Sequence, residues 1–305
     1  MMKKKMNLLA AAALLLLALT LLAACSAAPA APAAPAGGGS VPPAAPPAAE
    51  AEVTVIKVAY ELEGTPFTFQ DENGNDTGGD VEIFRLVDEL LPEYTFEYFG
   101  SSDDDVVVGV TTGAYDVGLT NAFYTKERGE SYLIPQENIG GNLLGLAVRN
   151  ENSEVATFEQ IAAQNLKVTP LIAGNGITFQ FEQYNEANPN AAIPIEYSTD
   201  YAVWTKQFDW LADGKYDVVP TLQVSWEQQV VAEDGVNHTL YDKLAFNLIK
   251  PVKSYPLISK VTRDEEFTRK ISEALKQVKA DSRAAAIAEE FYGVNIYDYP
   301  FEEGW

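Results

Sequence analysis

Cysteine and histidine are nearly missing from this chain of 305 residues, which has one of each, Cys25 and His238. A single cysteine excludes a disulfide framework, and the two residues together cannot supply the ligand set of a structural zinc site. No serine–histidine or metal-binding constellation is evident in the sequence, and the histidine lies in the loop-like segment 234–238, where a surface position is ordinary. We therefore expect no metal, no cofactor and no catalytic residue.

Basic residues are also few, because 21 lysines and arginines stand against 44 aspartates and glutamates, for a net charge of -23. Non-specific binding to nucleic acid depends on neutralising phosphates with lysine and arginine. The composition therefore argues against a nucleic-acid partner. It says little about a ligand in a pocket, since net charge governs mainly solubility and association.

Charged residues are absent from the apolar run 8–24, which follows three lysines at positions 3–5. A basic segment followed by such a run is typical of an export signal. The run ends in Leu-Ala-Ala-Cys at 22–25, which resembles the bacterial lipobox. This resemblance implies that residues 1–24 are a signal peptide and that Cys25 becomes lipidated. The alternative is a transmembrane anchor, for which the run is short.

The segment 25–52 consists, after Cys25, almost entirely of alanine, proline and glycine. This composition is typical of a tether, which extends by roughly 3 Å per residue when it is polyproline-like. We expect an exported protein that its lipid anchors to the cell membrane, with a monomeric folded part facing the extracytoplasmic side.

Strand and helix patterns alternate from residue 53 onward. The stretch 53–61 is rich in β-branched residues, the Asn-Gly step at 73–74 predicts a hairpin, and apolar spacing predicts a helix capped by Asp80 and stopped by Pro92. Further strands are expected at 94–99, 116–121, 166–172 and 193–197, and further helices at 106–112 and 178–185. The alternation predicts an α/β fold with mostly parallel sheets covered by helices.

A short phrase occurs twice in the folded part. Residues 113–117 read Gly-Ala-Tyr-Asp-Val with Thr120 three residues on, and residues 214–218 read Gly-Lys-Tyr-Asp-Val with Thr221 three residues on. An internal repeat of this kind predicts two similar lobes.

Two extended stretches, 140–149 and 244–261, are placed to carry the chain from one lobe to the other and back. Lobe 1 would then comprise 53–145 and 245–305, including the C-terminal helices, and lobe 2 would comprise 146–244. The crossing strands would form a hinge. Ligands of open α/β sheets bind beyond the carboxyl ends of strands, so the crevice between the lobes is the expected site.

Five short phrases stand out along the folded part: Thr65-Pro66-Phe67, Gly79-Asp80-Val81-Glu82, Gly113-Ala114-Tyr115-Asp116-Val117, Thr125-Lys126-Glu127-Arg128 and Phe291-Tyr292-Gly293. In their order and spacing they resemble the extracellular solute-binding proteins of polar amino-acid ABC importers. The resemblance implies the type II periplasmic-binding-protein fold, with two mostly parallel sheets joined by a two-strand hinge. It also implies that the protein captures an amino acid or similar small carboxylate and delivers it to ABC permease and ATPase subunits.

The resemblance assigns Arg128 to the ligand's α-carboxylate, a role that suits the planar fork of a guanidinium. A surface or interlobe ion pair is the alternative. Asn121 occupies a slot that faces the ligand in the family, while Phe123 either stacks on the solute or packs under the hinge. Asn175 and Thr178 lie where lobe 2 either offers the N–H groups of a helix N-terminus to a carboxylate or forms a plain turn.

The chain departs from the family pattern where an acid in lobe 2 usually binds the ligand's ammonium group, since Leu222 or Gln223 stands there. Glu61 and Asp103, with their acidic neighbours, could supply negative charge from lobe 1 instead. The aspartate run that begins at residue 103 also suits a solvated helix start. With Phe67, these residues complete the expected ligand site.

Two further functions stay open at this point. Dehydratases that act on carboxylated ring substrates share the fold, and a fold alone does not determine function. A surface receptor domain for small solutes would need a further membrane segment in this chain or in a partner, and no such segment follows Cys25 in the sequence.

Overall fold

The computed structural model describes residues 53–200 and 202–302. The expected signal peptide, Cys25 and the tether lie outside the described residues. Within the described ranges, every helix is too short or too polar to cross a membrane.

The first part of the chain forms a βαβ lobe that carries a small three-stranded sheet. Its elements are β1 (Thr54–Glu61), β2 (Glu63–Gly64), β3 (Thr68–Gln70), β4 (Asp76–Thr77), α1 (Gly79–Leu90), β5 (Tyr94–Ser101), α2 (Asp103–Thr112), β6 (Val117–Phe123) and α3 (Lys126–Ser131). Strand β1 lies between β5 and β6 and is parallel to both. The hairpin predicted at the Asn-Gly step is confirmed, because β3 and β4 pair antiparallel around Gly74.

The second part leaves the first lobe and returns to it. Its elements are β7 (Gly140–Arg149), α4 (Phe158–Gln164), β8 (Leu171–Ile172), α5 (Gly176–Ala187), β9 (Tyr197–Ser198), α6 (Ala202–Ala212), β10 (Val218–Leu222), α7 (Gln223–Trp226), β11 (Leu244–Ile258), α8 (Glu265–Lys279) and α9 (Ser282–Tyr292). A π-helical turn, Glu227–Val231, continues α7. Short 3-10 helices lie at Asn150–Asn152, Pro189–Ala191, His238–Lys243 and Ile296–Asp298.

The two predicted crossing stretches are strands β7 and β11, which pair antiparallel from Leu244 opposite Arg149 to Ser254 opposite Gly140. They join the lobes in one six-stranded sheet of order β10-β7-β11-β6-β1-β5. Parallel pairing is confined to the strands inside each lobe. In lobe 2 these are β8 with β9 and a bridge between Val168 and Val218.

Each lobe has its own apolar core, and burial of apolar surface is the main favourable contribution to folding. In lobe 1, Ile56 and Phe84 pack with Ile271 and Leu275, so the C-terminal helices cover the first lobe as the sequence predicted. In lobe 2, Phe181 belongs to a separate core together with Leu144, Leu146, Phe158 and Val218.

The repeated phrase has the same structural role in both lobes. In lobe 1, Gly113 ends α2 with φ +82°, and Asp116 accepts hydrogen bonds from the Lys57 amide (2.8 Å) and from Arg263 (2.8 Å). The carboxylate thereby fixes the start of the following strand against β1.

In lobe 2, Gly214 follows α6 with φ +72°, and Asp217 accepts hydrogen bonds from the Lys167 amide (3.0 Å) and from Arg149 (2.8 Å). The two lobes therefore share a local construction, which confirms the interpretation of the repeat.

Two local expectations need correction. Asp80 does not cap α1, because the helix begins at Gly79 and its N-cap is Gly78. Instead the Asp80 side chain is buried and accepts a hydrogen bond from the Tyr292 hydroxyl (2.9 Å). The strand expected at 166–172 is reduced to the two residues of β8 and the isolated bridge at Val168, since its partner strand β9 is only two residues long.

Candidate ligand-binding site

A cleft of about 780 Å³ lies between the two lobes. Lobe 1 contributes the ends of β1 and β6 and the starts of α2 and α3, while lobe 2 contributes the start of α5, the end of β10 and parts of α6 and α7. Its volume is within the range of small-molecule sites in proteins. The crevice predicted between the two lobes is therefore present.

Arg128 lies on α3 and faces this cleft. The Thr125 hydroxyl caps the helix by accepting a hydrogen bond from the Arg128 amide (3.1 Å). The guanidinium donates to the Phe123 carbonyl through Nη1 (2.8 Å), which holds one side of the group against lobe 1. A guanidinium has five N–H donors in a planar fork and can bind a carboxylate through two of them.

Acidic side chains line the same wall of the cleft. Burial, and then the nearby charges of Asp103 and Glu63, raise the pKa of Glu61 to about 7. Burial also raises the pKa of Asp103, while the positive charge of Arg128 opposes that rise. Among the described residues, none donates a hydrogen bond to the Glu61 carboxylate.

Asn121 and Phe123 both line the cleft, as predicted. Asn121 adopts a left-handed conformation (φ +47°), and its side-chain oxygen accepts a hydrogen bond from Asn142 on β7 (2.7 Å). Phe123 is only 5% exposed and packs with the core of lobe 2. Its ring lies so close to Gly176 that an added Cβ there would come within 2.4 Å. Most of the Phe123 side chain is therefore used in packing, which was the alternative to stacking on the solute.

In lobe 2, Asn175 lines the cleft and caps α5 by accepting a hydrogen bond from the Ile177 amide (2.8 Å). Thr178 does not belong to the cleft lining. It is buried, and its hydroxyl donates to the Ile172 carbonyl (2.6 Å), so it ties α5 to β8.

Gln223 also lies apart from the main cleft. It lines a small neighbouring cavity with Asn142 and Tyr292, whereas Leu222 faces the main cleft. Phe67 borders both cavities. Seven of the nine expected ligand-binding residues thus line the main cleft, whereas Thr178 and Gln223 lie outside its lining.

Several cleft residues escaped the sequence reasoning. Thr120 and Thr221, the threonines of the repeated phrase, both line the cleft, and their repetition was a signal that could have identified them. Trp204 and Gln207 on α6 gave no such signal, because their helix shows an ordinary amphipathic pattern.

Charge is divided unequally between the two walls. Within the described residues, the charged side chains that line the cleft all come from lobe 1; they are Glu61, Asp103, Asp104, Glu127 and Arg128. The lobe 2 wall offers neutral polar groups, such as Gln207, Thr221 and Ser225, together with Trp204.

A family model for bacterial extracellular solute-binding proteins, family 3, matches residues 56–294. The chain belongs to this family. Its members bind solutes outside the cytoplasm, and the two-lobed architecture with an interlobe cleft is the type II periplasmic-binding fold. The predicted fold class and solute-binding role are confirmed.

Individual relatives are distant. The L-cystine-binding protein TcyK of Bacillus subtilis is 22% identical over 246 residues, which are 81% of this chain and 86% of that protein. The probable amino-acid ABC transporter extracellular-binding protein YtmK of Bacillus subtilis is 20% identical, with a TM-score of 0.62 over 79% of this chain and 99% of that one.

A third relative is a structure from work on glutathione import through GshT and the cystine importer TcyBC of Streptococcus mutans. It is 20% identical, with a TM-score of 0.60 over 82% of this chain and 98% of that one. Solved structures at this level of identity support the fold.

Proposed function

We propose that this solute-binding protein captures a zwitterionic amino acid in the interlobe cleft and delivers it to the permease and ATPase subunits of an ABC importer. The observation that carries the proposal is the presence of Arg128 and acidic side chains in one cleft. A carboxylate and an ammonium group on one small ligand would satisfy both signs of charge. Charged groups that become buried need such partners, because an unpaired buried charge is strongly unfavourable.

L-Cystine is the first candidate ligand. TcyK, a relative that matches 81% of this chain, is an L-cystine-binding protein. Trp204 is 42% exposed on the lobe 2 wall of the cleft, where its ring offers an apolar surface to a sulfur-containing chain. A single-headed amino acid with a bulky side chain is the second candidate.

The mode of action we propose has no chemical step. Ligand bridges the lobes, β7 and β11 act as the hinge between lobe 1 (53–145 and 245–305) and lobe 2 (146–244), and the closed form is delivered to the permease. A dehydratase on this fold would need an acid or base placed for proton transfer to a ring substrate, and our proposal assigns the cleft carboxylates to binding.

We also propose that the N-terminal segment determines where the protein is located. Residues 1–24 direct export, Cys25 carries the lipid, and the segment up to residue 52 lets a monomeric folded part reach the permease outside the cytoplasm.

A thermal-shift screen of the full chain in mild detergent tests the proposed function. The panel contains L-cystine, L-arginine, L-glutamine, L-histidine and glutathione, with shikimate and prephenate as ring carboxylates. A bound ligand raises the melting temperature by mass action. We expect at least one amino acid to raise it and to be recovered unchanged after incubation. Stabilisation by the ring carboxylates alone, or their conversion, would contradict the proposal.

A further inference from the structure

The unequal distribution of charge in the cleft bears on how the ligand is held. Among the described lining residues, the lobe 2 wall has no charged side chain, and Leu222 ends β10 where that wall meets the cleft. Neutral groups there can donate or accept hydrogen bonds but cannot neutralise an ammonium group. Any ionic partner of a ligand cation therefore has to come from lobe 1.

Glu61 is the acid best placed for this role. It is the last residue of β1, at the carboxyl end of a central strand, and its side chain is half-buried. The carboxylate lies over Gly64, where an added Cβ would be 3.0 Å from Oε2. Its backbone carbonyl accepts a hydrogen bond from Thr68 (2.7 Å), but among described residues its carboxylate receives none. A partly buried carboxylate without a donor is an open position for a cationic partner.

Asp103 is the second acid, and its position differs from that of its neighbour Asp105. Asp105 belongs to the capping of α2, because its amide donates to the Ser102 hydroxyl (3.2 Å) and its carboxylate accepts from that hydroxyl (2.9 Å). Asp103 lines the cleft and interacts electrostatically with both Glu61 and Arg128. Capping of α2 therefore accounts for the presence of Asp105 better than it accounts for the presence of Asp103.

We infer that lobe 1 alone holds both charged ends of the ligand, with Arg128 binding the carboxylate and Glu61 and Asp103 binding the ammonium group, while lobe 2 closes with neutral contacts. This inference rests on the proposed function, because it takes the ligand to be an amino acid. An ammonium group between the two acids relieves their mutual repulsion, which is one cause of the raised pKa of Glu61. The open form of the protein can thus capture the zwitterion before closure.

Calorimetric titration of the full chain in mild detergent with two probes tests the inference. L-Cystine carries both ammonium and carboxylate groups, and 3,3′-dithiodipropionic acid is the same molecule without the amino groups. The test variants are Glu61→Gln and Asp103→Asn. The controls are Glu97→Gln and Asp105→Asn, which make the same chemical changes in lobe 1 at positions outside the cleft lining.

We expect Glu61→Gln and Asp103→Asn each to weaken L-cystine binding at least about tenfold, while the controls stay within about twofold. We expect the same two variants to bind dithiodipropionic acid as well as or better than the parent, since a repelling charge is removed. A merely structural role for the acids would weaken both probes together. That result, or unchanged L-cystine binding in both test variants, would overturn the inference.

Failure of the proposed function has a different signature. If the parent binds neither L-cystine nor any other amino acid, both the proposed function and the inference about lobe 1 are wrong. If the parent binds L-cystine and Arg128→Ala weakens it, but the acid variants do not, the proposed function stands and the lobe 1 assignment of the ammonium group is wrong.

Discussion

The surroundings of Arg128 restrict its conformation. Thr125 fixes the backbone of α3, the Phe123 carbonyl accepts a hydrogen bond from one nitrogen of the guanidinium, and the residue lines the cleft. Anchoring of this kind reduces the conformational freedom that is lost when a carboxylate binds.

Replacement of Arg128 by alanine is expected to weaken amino-acid binding by about 2 to 3 kcal/mol, the usual contribution of hydrogen bonds to a charged group. Arg128→Lys keeps the charge but loses the planar fork, so it should recover part of the affinity. Calorimetry measures both variants, and circular dichroism checks that they fold. Equal affinity in parent and Arg128→Ala would place this residue in a structural role.

Glu61 should make ligand affinity depend on pH. Its pKa is about 7 in the unliganded protein, and an ammonium group binds its ionised form. Lowering the pH from 8 to 6 protonates the carboxylate, so affinity for L-cystine should fall by about tenfold over that interval. Glu61→Gln has no carboxyl group at this position and should show a much flatter pH profile. A parent profile that is flat or rises toward acid would contradict this assignment.

The family resemblance pointed to Arg128 as a cleft residue. It lines the cleft from α3, three positions after the capping residue Thr125. Thr178 and Gln223 were misplaced because their orientation depends on where an element begins or ends. Thr178 turns back toward β8 from the first turn of α5, and Gln223 is the first residue of α7, past the end of β10.

At the scale of secondary-structure elements, the repeated Gly-x-Tyr-Asp-Val phrase is the most informative feature of the sequence. In each lobe its aspartate binds the backbone of a preceding segment and an arginine from another part of the chain. Burial alone would raise the pKa of Asp116, but hydrogen bonds from Arg263 and the Lys57 amide outweigh it and hold the pKa below its usual value.

Asp116→Asn should therefore lower the free energy of unfolding by about 3 kcal/mol at pH 7, because it leaves a largely buried Arg263 without its ionic partner. The depressed pKa means that the stabilisation is present above about pH 4 and is lost as the pH falls through the folded-state value. The difference between parent and variant should shrink accordingly in acid. Denaturant unfolding measures both, with the exposed Asp242→Asn as control, expected within about 0.5 kcal/mol of the parent. A loss as small as the control's would show that the pair contributes little.

Strand lengths were harder to predict than strand positions. The crossing strands β7 and β11 were recognisable as long extended stretches, and they are paired over most of their length. The segment around Leu171 reads as a strand of seven residues from its composition, yet only two residues form the ladder. Ladder length depends on the partner strand, and β9 is only two residues long, which no pattern inside segment 166–172 reveals.

At the scale of the whole molecule, we propose that a lipid anchor holds the folded solute-binding unit on the membrane. With the net charge of the chain at -23, electrostatic attraction to anionic lipid is not expected to hold it on a membrane. The lipid on Cys25 would have to supply that attachment.

Cys25→Ser is therefore expected to move the protein from the membrane fraction to the soluble or secreted fraction, or to leave it as an unprocessed precursor. Immunoblots of fractionated cells, before and after a high-salt wash, measure the distribution. Arg128→Ala is the matched control, since it changes ligand binding but leaves the anchor intact. A Cys25→Ser protein that is processed and resists the salt wash like the parent would refute the lipid anchor.

The central claim is that the interlobe cleft holds a zwitterionic amino acid by charges that lobe 1 supplies. A crystal structure of the protein with L-cystine, or with whichever amino acid the thermal-shift screen identifies, tests it most directly. We expect closed lobes, a ligand carboxylate within hydrogen-bond distance of the Arg128 guanidinium, and an ammonium group facing Glu61 and Asp103. A ligand bound outside the cleft, or one whose carboxylate and ammonium group both contact lobe 2 and leave Arg128 and Glu61 untouched, would contradict it.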